Sequence, residues 1–446
     1  MKRLIPLAGW LLAAILGLPA PQVAGQIPPP PETAPATAPE AAASAAPQAV
    51  PPDKSSTSFA DATRKVTETL EQLGIEFYGH FRLDMAHDSA RTQFGDTAFY
   101  VQHYRAGQAD DEINIHARHS RLGLNWRGPE IEGVKAFGNI EIDFLGKALQ
   151  PNTETQELQA TPRLRHAYMQ FAFGKHWSLL AGHTSDTFAP LNMKKLNTLV
   201  GWGQGNLGFR RPQLTGITRF GGGGESVWTA KLGLARPLAT DQDGGGNDDG
   251  EDAGYPDVQG HIGFAVPLVG KEKLQLGVGG FVGWREVDAT ASNRLPRDRR
   301  YTACAACLDF VIPILQNLSV CGEVWWGRGL DGYRAAIWQG YSLDGPDVSV
   351  IRAWGAFANL EFKPHKRWRL VAGAGMDDPE NEDFTDPNPA RATKDRTRNV
   401  TLFGNVVYNF YKGASVGLEY DYMNTDYVER RNRVNHRVQA TVMLKF

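Results

Sequence analysis

The chain has 446 residues, with 47 Lys plus Arg against 49 Asp plus Glu, a formal charge of −2. That balance excludes a nucleic-acid partner held by bulk positive charge. The 11 Trp, 13 Tyr and 21 Phe exclude disorder over the whole length, and three Cys are too few for a disulfide scaffold. A mean hydropathy of −0.36 is that of a soluble protein. A transmembrane barrel has the same value, because only every second residue of its strands faces lipid.

The N-terminus reads as an address. Lys2 and Arg3 precede an apolar run from Leu4 to Leu18, and Val23-Ala24-Gly25 suits a signal-peptidase cut after Gly25. The run is short for a membrane-spanning helix. Residues 1–25 are therefore expected to be a signal peptide, and losing Lys2 and Arg3 leaves 45 − 49 = −4. Residues 26–56 are mostly Pro and Ala, a composition that stays extended and unpacked, so a spacer is expected. In 57–74, Phe59, Ala62, Val66, Leu70 and Leu73 recur at helical spacing, which predicts one short amphipathic helix. Such a helix is marginal alone, so a short coiled coil is the preferred reading.

From residue 75 the period becomes two. Ile75, Phe77, Phe81, Leu83 and Met85 alternate with Glu76, Tyr78, His80, Arg82 and Asp84. The pattern recurs in sixteen segments: 75–86, 112–127, 133–145, 163–173, 176–186, 211–220, 226–236, 256–266, 273–286, 299–312, 318–328, 350–363, 367–377, 398–411, 414–425 and 434–446. Short connections such as 174–175 and 412–413 alternate with long ones such as 87–111, 187–210 and 329–349. Short turns at one end and long loops at the other are the rhythm of an outer-membrane barrel. A soluble sandwich would bury its apolar face. Here the charged face is the inner one, which is costly unless water fills the middle, and sixteen strands leave room for that. The fold class is all-β: a 16-stranded antiparallel transmembrane β-barrel over 75–446, preceded by the periplasmic helix. Trp177, Trp284, Trp326, Trp354, Trp368 and Phe446 fall near strand ends, where membrane girdles form. The last strand alternates and ends in Phe446, resembling the C-terminal signal read by the bacterial barrel-assembly machinery.

The chain resembles the trimeric outer-membrane porin superfamily, and most of all the DcaP-like porins. The likeness rests on helix 57–74 before the first strand, on Leu164-Arg165-His166-Ala167-Tyr168 and Arg211-Pro212-Gln213, on the run from Gly322 to Arg328, and on the run from Gly373 to Pro379. It implies a homotrimer in the bacterial outer membrane, held among its lipids, with the N-terminal segment in the periplasm. It also implies that the connection after the fifth strand, about 187–210, folds into the lumen. Small hydrophilic solutes are the expected partners. No reaction, cofactor or metal is expected.

Selectivity would then come from the size and charge of the constriction. The inward connection carries Lys194, Lys195 and Arg210, flanked by Asp186 and Arg211. Inward wall positions include Arg82, Arg121, Glu141, Lys231, Glu323, Glu419 and Arg437. Arg82, Arg121 and Arg437 lie on the first, second and sixteenth strands, which become neighbours on closure. They form either a basic stripe that guides anions or three residues each paired with an acid such as Glu76, Asp84 or Asp421. A diffusion channel, with some preference for anions, is the leading reading. A substrate-specific phosphate or dicarboxylate porin and an outer-membrane to cell-wall tether are the alternatives.

Other motifs carry less. Gly413-Ala414-Ser415-Val416-Gly417 matches a nucleophile elbow but begins a strand instead of a strand–turn–helix. Gly203-Gln204-Gly205-Asn206-Leu207-Gly208 lacks a βαβ setting, so its glycines are expected to let the inward loop bend. The acidic loop 237–255 reads as a solvated surface. His116 and His119 are three apart on a strand, so they face opposite sides and share no metal without a bulge. Cys304 and Cys307 splay apart for the same reason. Cys307 and Cys321 share inward parity across one hairpin, which would allow a cross-strand disulfide.

Overall fold

A computed structural model describes residues 68–446 apart from 104–110, 147–159, 198–199, 222–225, 241–249, 291–292, 294, 387–394 and 429. The expected signal peptide, the spacer and residues 57–67 of the helix lie outside the described residues. Residues 68–72 are helical and lead directly into the first strand.

In chain order the strands are β1 (Ile75–Asp88), β2 (Glu112–His116), β3 (Arg121–Ile131), β4 (Val134–Asp143), β5 (Arg163–Phe173), β6 (Trp177–Ser185), β7 (Arg210–Phe220), β8 (Val227–Ala235), β9 (Asp257–Val269) and β10 (Glu272–Val287). They continue as β11 (Arg299–Leu315), β12 (Leu318–Arg328), β13 (Tyr341–Asp344), β14 (Asp347–Val350), β15 (Arg352–His365), β16 (Trp368–Pro379), β17 (Arg396–Tyr411), β18 (Ala414–Tyr427) and β19 (Arg430–Lys445). Seventeen of them form one antiparallel sheet, and β2 and β3 are two halves of one stave, so the barrel has sixteen. It closes by pairing β1 with β19, which sets His80 opposite Lys445 and Asp88 opposite Arg437. The sheet thus has no free edge.

Two features escape a period-two reading. The second stave is interrupted at 117–120, where Ser120 N–H donates to the Ala117 carbonyl in a tight turn. The connection 329–351 carries its own hairpin, β13–β14, with Tyr341 opposite Val350.

The faces are those of a barrel in an apolar solvent. Phe77, Phe81, Leu122, Ile140, Leu214, Leu232 and Ile262 are exposed, whereas Arg82, Asp84, Asp88, Glu141, Arg285 and Arg437 are buried. Trp177, Trp368 and Phe446 are exposed at the short-turn end, and Trp284, Trp326 and Trp354 at the long-loop end. This outward apolar belt with two aromatic borders matches a bilayer and its interfaces.

Candidate functional site: an arginine cavity beside the inward loop

The connection 186–209 leaves the fifth stave and crosses the lumen to the opposite wall, held there by carboxylates aimed at its backbone. Leu191 N–H donates to Glu323 at 2.7 Å, and Leu196 and Asn197 N–H donate to Glu419 at 2.6 and 2.9 Å. Gly205 N–H donates to Asp377 at 2.6 Å. Lys194 pairs with Glu361 at 2.7 Å, and fully buried Lys195 pairs with Asp421 at 2.6 Å. A loop brought inside a barrel must find partners for its backbone, and these side chains supply them. Glycine makes the close approach feasible. A Cβ on Gly205, whose φ is +108°, would meet the Ala356 carbonyl oxygen at 2.1 Å, and one on Gly375 would meet that of Gln204 at 1.9 Å. Gly203 and Gly208 also have positive φ, so the glycines of this run serve the bend, as expected.

At the root of the loop, Arg211 pairs with Asp186 at 2.7 Å and Asp257 at 3.5 Å, and lies 3.8 Å over the Tyr333 ring. Arg285 joins Asp257 at 2.8 Å, and Tyr333 Oη–H donates to Asp257 at 2.7 Å. Connection 329–340 is thereby locked onto the inward loop, with Phe188, Leu207, Phe281, Trp325, Leu330 and Tyr333 forming the apolar core between them.

Because the loop lies on β12 and β15–β18, a cavity of about 300 Å³ remains by the other wall, toward the long-loop end. Six arginines line it: Arg118 and Arg121 of the second stave, Arg163 and Arg165 of β5, Arg210 of β7 and Arg334 of connection 329–340. Three acids answer them. Arg118 pairs with Asp96. Arg165 bridges Glu141 at 2.5 Å and Asp143 at 3.0 Å, Arg163 holds Asp143 at 2.7 Å, and Arg121 stands 3.9 Å from Glu141. The formal sum is 6 − 3 = +3 among these residues. Arg210 and Arg334 have no carboxylate partner among the described residues. They lie over aromatic faces: Arg210 is 5.6 Å from Trp202 and 5.3 Å from Phe209, and Arg334 is 4.8 Å from Phe209 and 5.0 Å from Trp338. Burial pushes the Arg334 guanidinium down from its ordinary range, with Asp331 opposing the shift. Aromatic faces hold both guanidiniums without neutralising them.

Of the residues expected to set selectivity, Arg121 and Arg210 reach this cavity and Glu141 balances it. Lys194, Lys195, Glu323 and Glu419 secure the loop instead, while Asp186 and Arg211 build its root. Lys231 stands half-buried on β8, opposite His261. Arg82 pairs with Asp84 at 2.8 Å and Arg437 with Asp88 at 2.6 Å, so the charge of two members of the expected stripe is balanced by acids on their own or the adjacent strand.

Two expectations are corrected. Cys307 lies opposite Trp325 and Cys321 opposite Val311, so the two thiols are offset along the hairpin and no disulfide joins them. Cys304, Cys307 and Cys321 are all free. His116 and His119 do not face opposite sides, because the turn at 117–120 reverses the parity and brings their rings to 5.0 Å.

Sequence reasoning missed Arg118, Arg163, Arg165 and Arg334. Arg163 stands opposite Asp143 on β4 and Arg165 is two residues on along the same strand, at a register shift beside Glu141, and that alternation was an available signal. Arg118 and Arg334 sit in turns, where parity gives no face.

No family model matches the chain, and no curated protein matches it in sequence. Solved structures do match. The DcaP outer-membrane channel of Acinetobacter baumannii superposes with a TM-score of 0.66 at 18% identity, covering 83% of this chain and 97% of that one. The fold is that of the outer-membrane porins. Pseudomonas putida OprB matches with a TM-score of 0.53 at 9% identity, over 86% of this chain and 97% of its own. A porin of Comamonas acidovorans described as anion-selective matches with a TM-score of 0.51 at 11% identity, over 83% and 99% of the two chains. Identities this low place the porin barrel and nothing finer.

Proposed function

We propose that the chain is a porin of the bacterial outer membrane, a water-filled diffusion channel for small hydrophilic solutes that favours anions and carries out no reaction of its own. The channel reading is supported by a closed barrel whose apolar belt faces outward and whose charged face turns inward. The anion preference is carried by one observation, the cavity where six arginines meet three acids and two of the arginines lack a carboxylate partner among the described residues. A low-dielectric wall around such a cavity focuses its field on the solute path. A narrower reading, a phosphate or dicarboxylate porin, is favoured by Arg210 and Arg334, which line the cavity without a carboxylate partner among the described residues and have guanidinium N–H groups suited to an oxyanion. The expected homotrimer, with its N-terminal segment in the periplasm, belongs to the same proposal, as does recognition of Phe446 by the barrel-assembly machinery. The tether reading rests on residues 26–74, nearly all outside the described residues.

The test is ion flow through the purified protein in a planar bilayer under a KCl gradient. A reversal potential set by chloride, in triplet conductance steps, is expected. A potassium-set potential overturns the anion preference, and a folded barrel without conductance overturns the channel.

A further inference from the structure

Asp84, His116 and His119 meet inside the barrel wall beside the arginine cavity. Asp84 on β1 lies directly opposite His116 on β2, and the turn at 117–120 swings His119 to the same side. A ligand-capable atom of each residue lies within 4.8 Å of those of the other two. All three are buried: Asp84 is 0% exposed, His119 2% and His116 7%.

We propose that His116 and His119 bind a borderline divalent transition-metal ion, with Asp84 orienting His119. The hydrogen bonds determine which nitrogens are available. His119 Nδ1–H donates to Asp84 at 2.8 Å, because an ionised carboxylate only accepts. His116 Nε2–H donates to the Asp96 carbonyl at 3.1 Å. Each neutral ring therefore keeps one lone pair, on His119 Nε2 and on His116 Nδ1. Both of these atoms are buried without a hydrogen-bond partner among the described residues. Two buried acceptors left unmatched on rings whose centroids lie 5.0 Å apart are costly, and each asks for an occupant. An imidazole whose other nitrogen donates to a carboxylate or carbonyl is the arrangement that supports metal-ligating histidines. Asp84 is better suited to this orienting role than to direct ligation, since its oxygens already accept from Arg82, Gln439 and Thr441.

Charge narrows the class of ion. Arg82 balances Asp84 and Arg118 balances Asp96, so the two ion pairs that touch the histidines are each neutral, and the excess positive charge of the cavity lies beyond them on Arg210 and Arg334. An oxygen-seeking Ca²⁺ or Mg²⁺ finds no free carboxylate here among the described residues, whereas Zn²⁺, Ni²⁺ or Cu²⁺ accepts neutral imidazole. Two protein ligands leave further coordination positions open, so the ion is exchangeable. His119 also lines the arginine cavity, so on the porin reading an ion bound there would sit beside the solute path.

The experiment titrates ZnCl₂ into the full, tag-free protein in detergent by calorimetry, with barrel folding checked by heat-modifiable gel mobility. One zinc per chain is expected, with affinity falling at least about tenfold in His119→Gln and in His116→Ala. Gln at 119 can keep a donor to Asp84, which protects folding. His183→Ala, a histidine on β6 outside the cluster, should leave binding unchanged. Zinc binding that is equal in wild type and both cluster variants overturns the proposal, as does a folded wild type that takes up no zinc. In the bilayer, zinc should reduce wild-type conductance and leave His119→Gln unaffected. Because binding is read without ion flow, failure of the channel reading would leave the calorimetric result standing.

Discussion

Replacing Arg210 by Gln removes one positive charge from the cavity while keeping a polar side chain against Trp202 and Phe209. The cavity holds about 300 Å³, a sphere of about 4 Å radius, so an ion at its centre lies about 6 Å from the guanidinium carbon. In water a unit charge at that distance contributes about 0.7 kcal/mol, and a Debye length of about 10 Å in 0.1 M salt reduces this to about 0.4 kcal/mol. The charge then raises local chloride about twofold and lowers local potassium about twofold, so the permeability ratio should fall about fourfold in Arg210→Gln. At 1 M salt, with a Debye length of about 3 Å, the two proteins should be nearly indistinguishable. The assay is the reversal potential under a KCl gradient, with Arg127→Gln as the control, since Arg127 is exposed at the short-turn end and paired with Glu76. An unchanged ratio at 0.1 M salt, or an equal change in the control, refutes the assignment of selectivity to this cavity.

Four further outcomes follow from the packing. Lys195→Met strands the buried Asp421 carboxylate, at a cost of about 3–5 kcal/mol, so a lower unfolding temperature and noisier single-channel current are expected; quiet traces at wild-type stability would show that the loop is held without this pair. Gly205→Ala should force the loop off the wall by the clash with Ala356 and change the unit conductance, which a bilayer recording checks directly. Trp338→Ala removes one of the two rings under Arg334, and a loss of about 0.5–2 kcal/mol of side-chain anchoring should appear as altered anion block with the barrel intact. Three reactive thiols per unfolded chain are expected in a thiol titration without reductant, and a count of one would restore a disulfide.

The staves were readable because sheet period and solvent were both extreme. Residues 163–173 and 318–328 alternate so strictly that their bounds in the structure are the expected ones. The crossing of the lumen by connection 186–209 was available only through resemblance, because nothing local in Leu196, Asn197 or Glu419 says they will meet. Their contacts span more than two hundred residues of sequence and exist only once the barrel closes.

The candidate site was half legible. Parity correctly turned Arg121 and Glu141 inward, but it could not show which arginine would find an acid. Arg82 has Asp84 two residues away on the same face, and Arg437 meets Asp88 only through the closing β1–β19 register. The break at 117–120 misled the reading of His116 and His119, since a period-two argument fails wherever the chain turns.

By itself the sequence determined the barrel, its inside and its outside, because alternation is a local property that lipid and water sort without reference to distant residues. Tertiary structure decided which charges are spent on one another and which remain to face a solute. That difference depends on distances of a few ångströms between strands and loops far apart in the chain, brought together only by closure of the sheet and the inward fold of one loop.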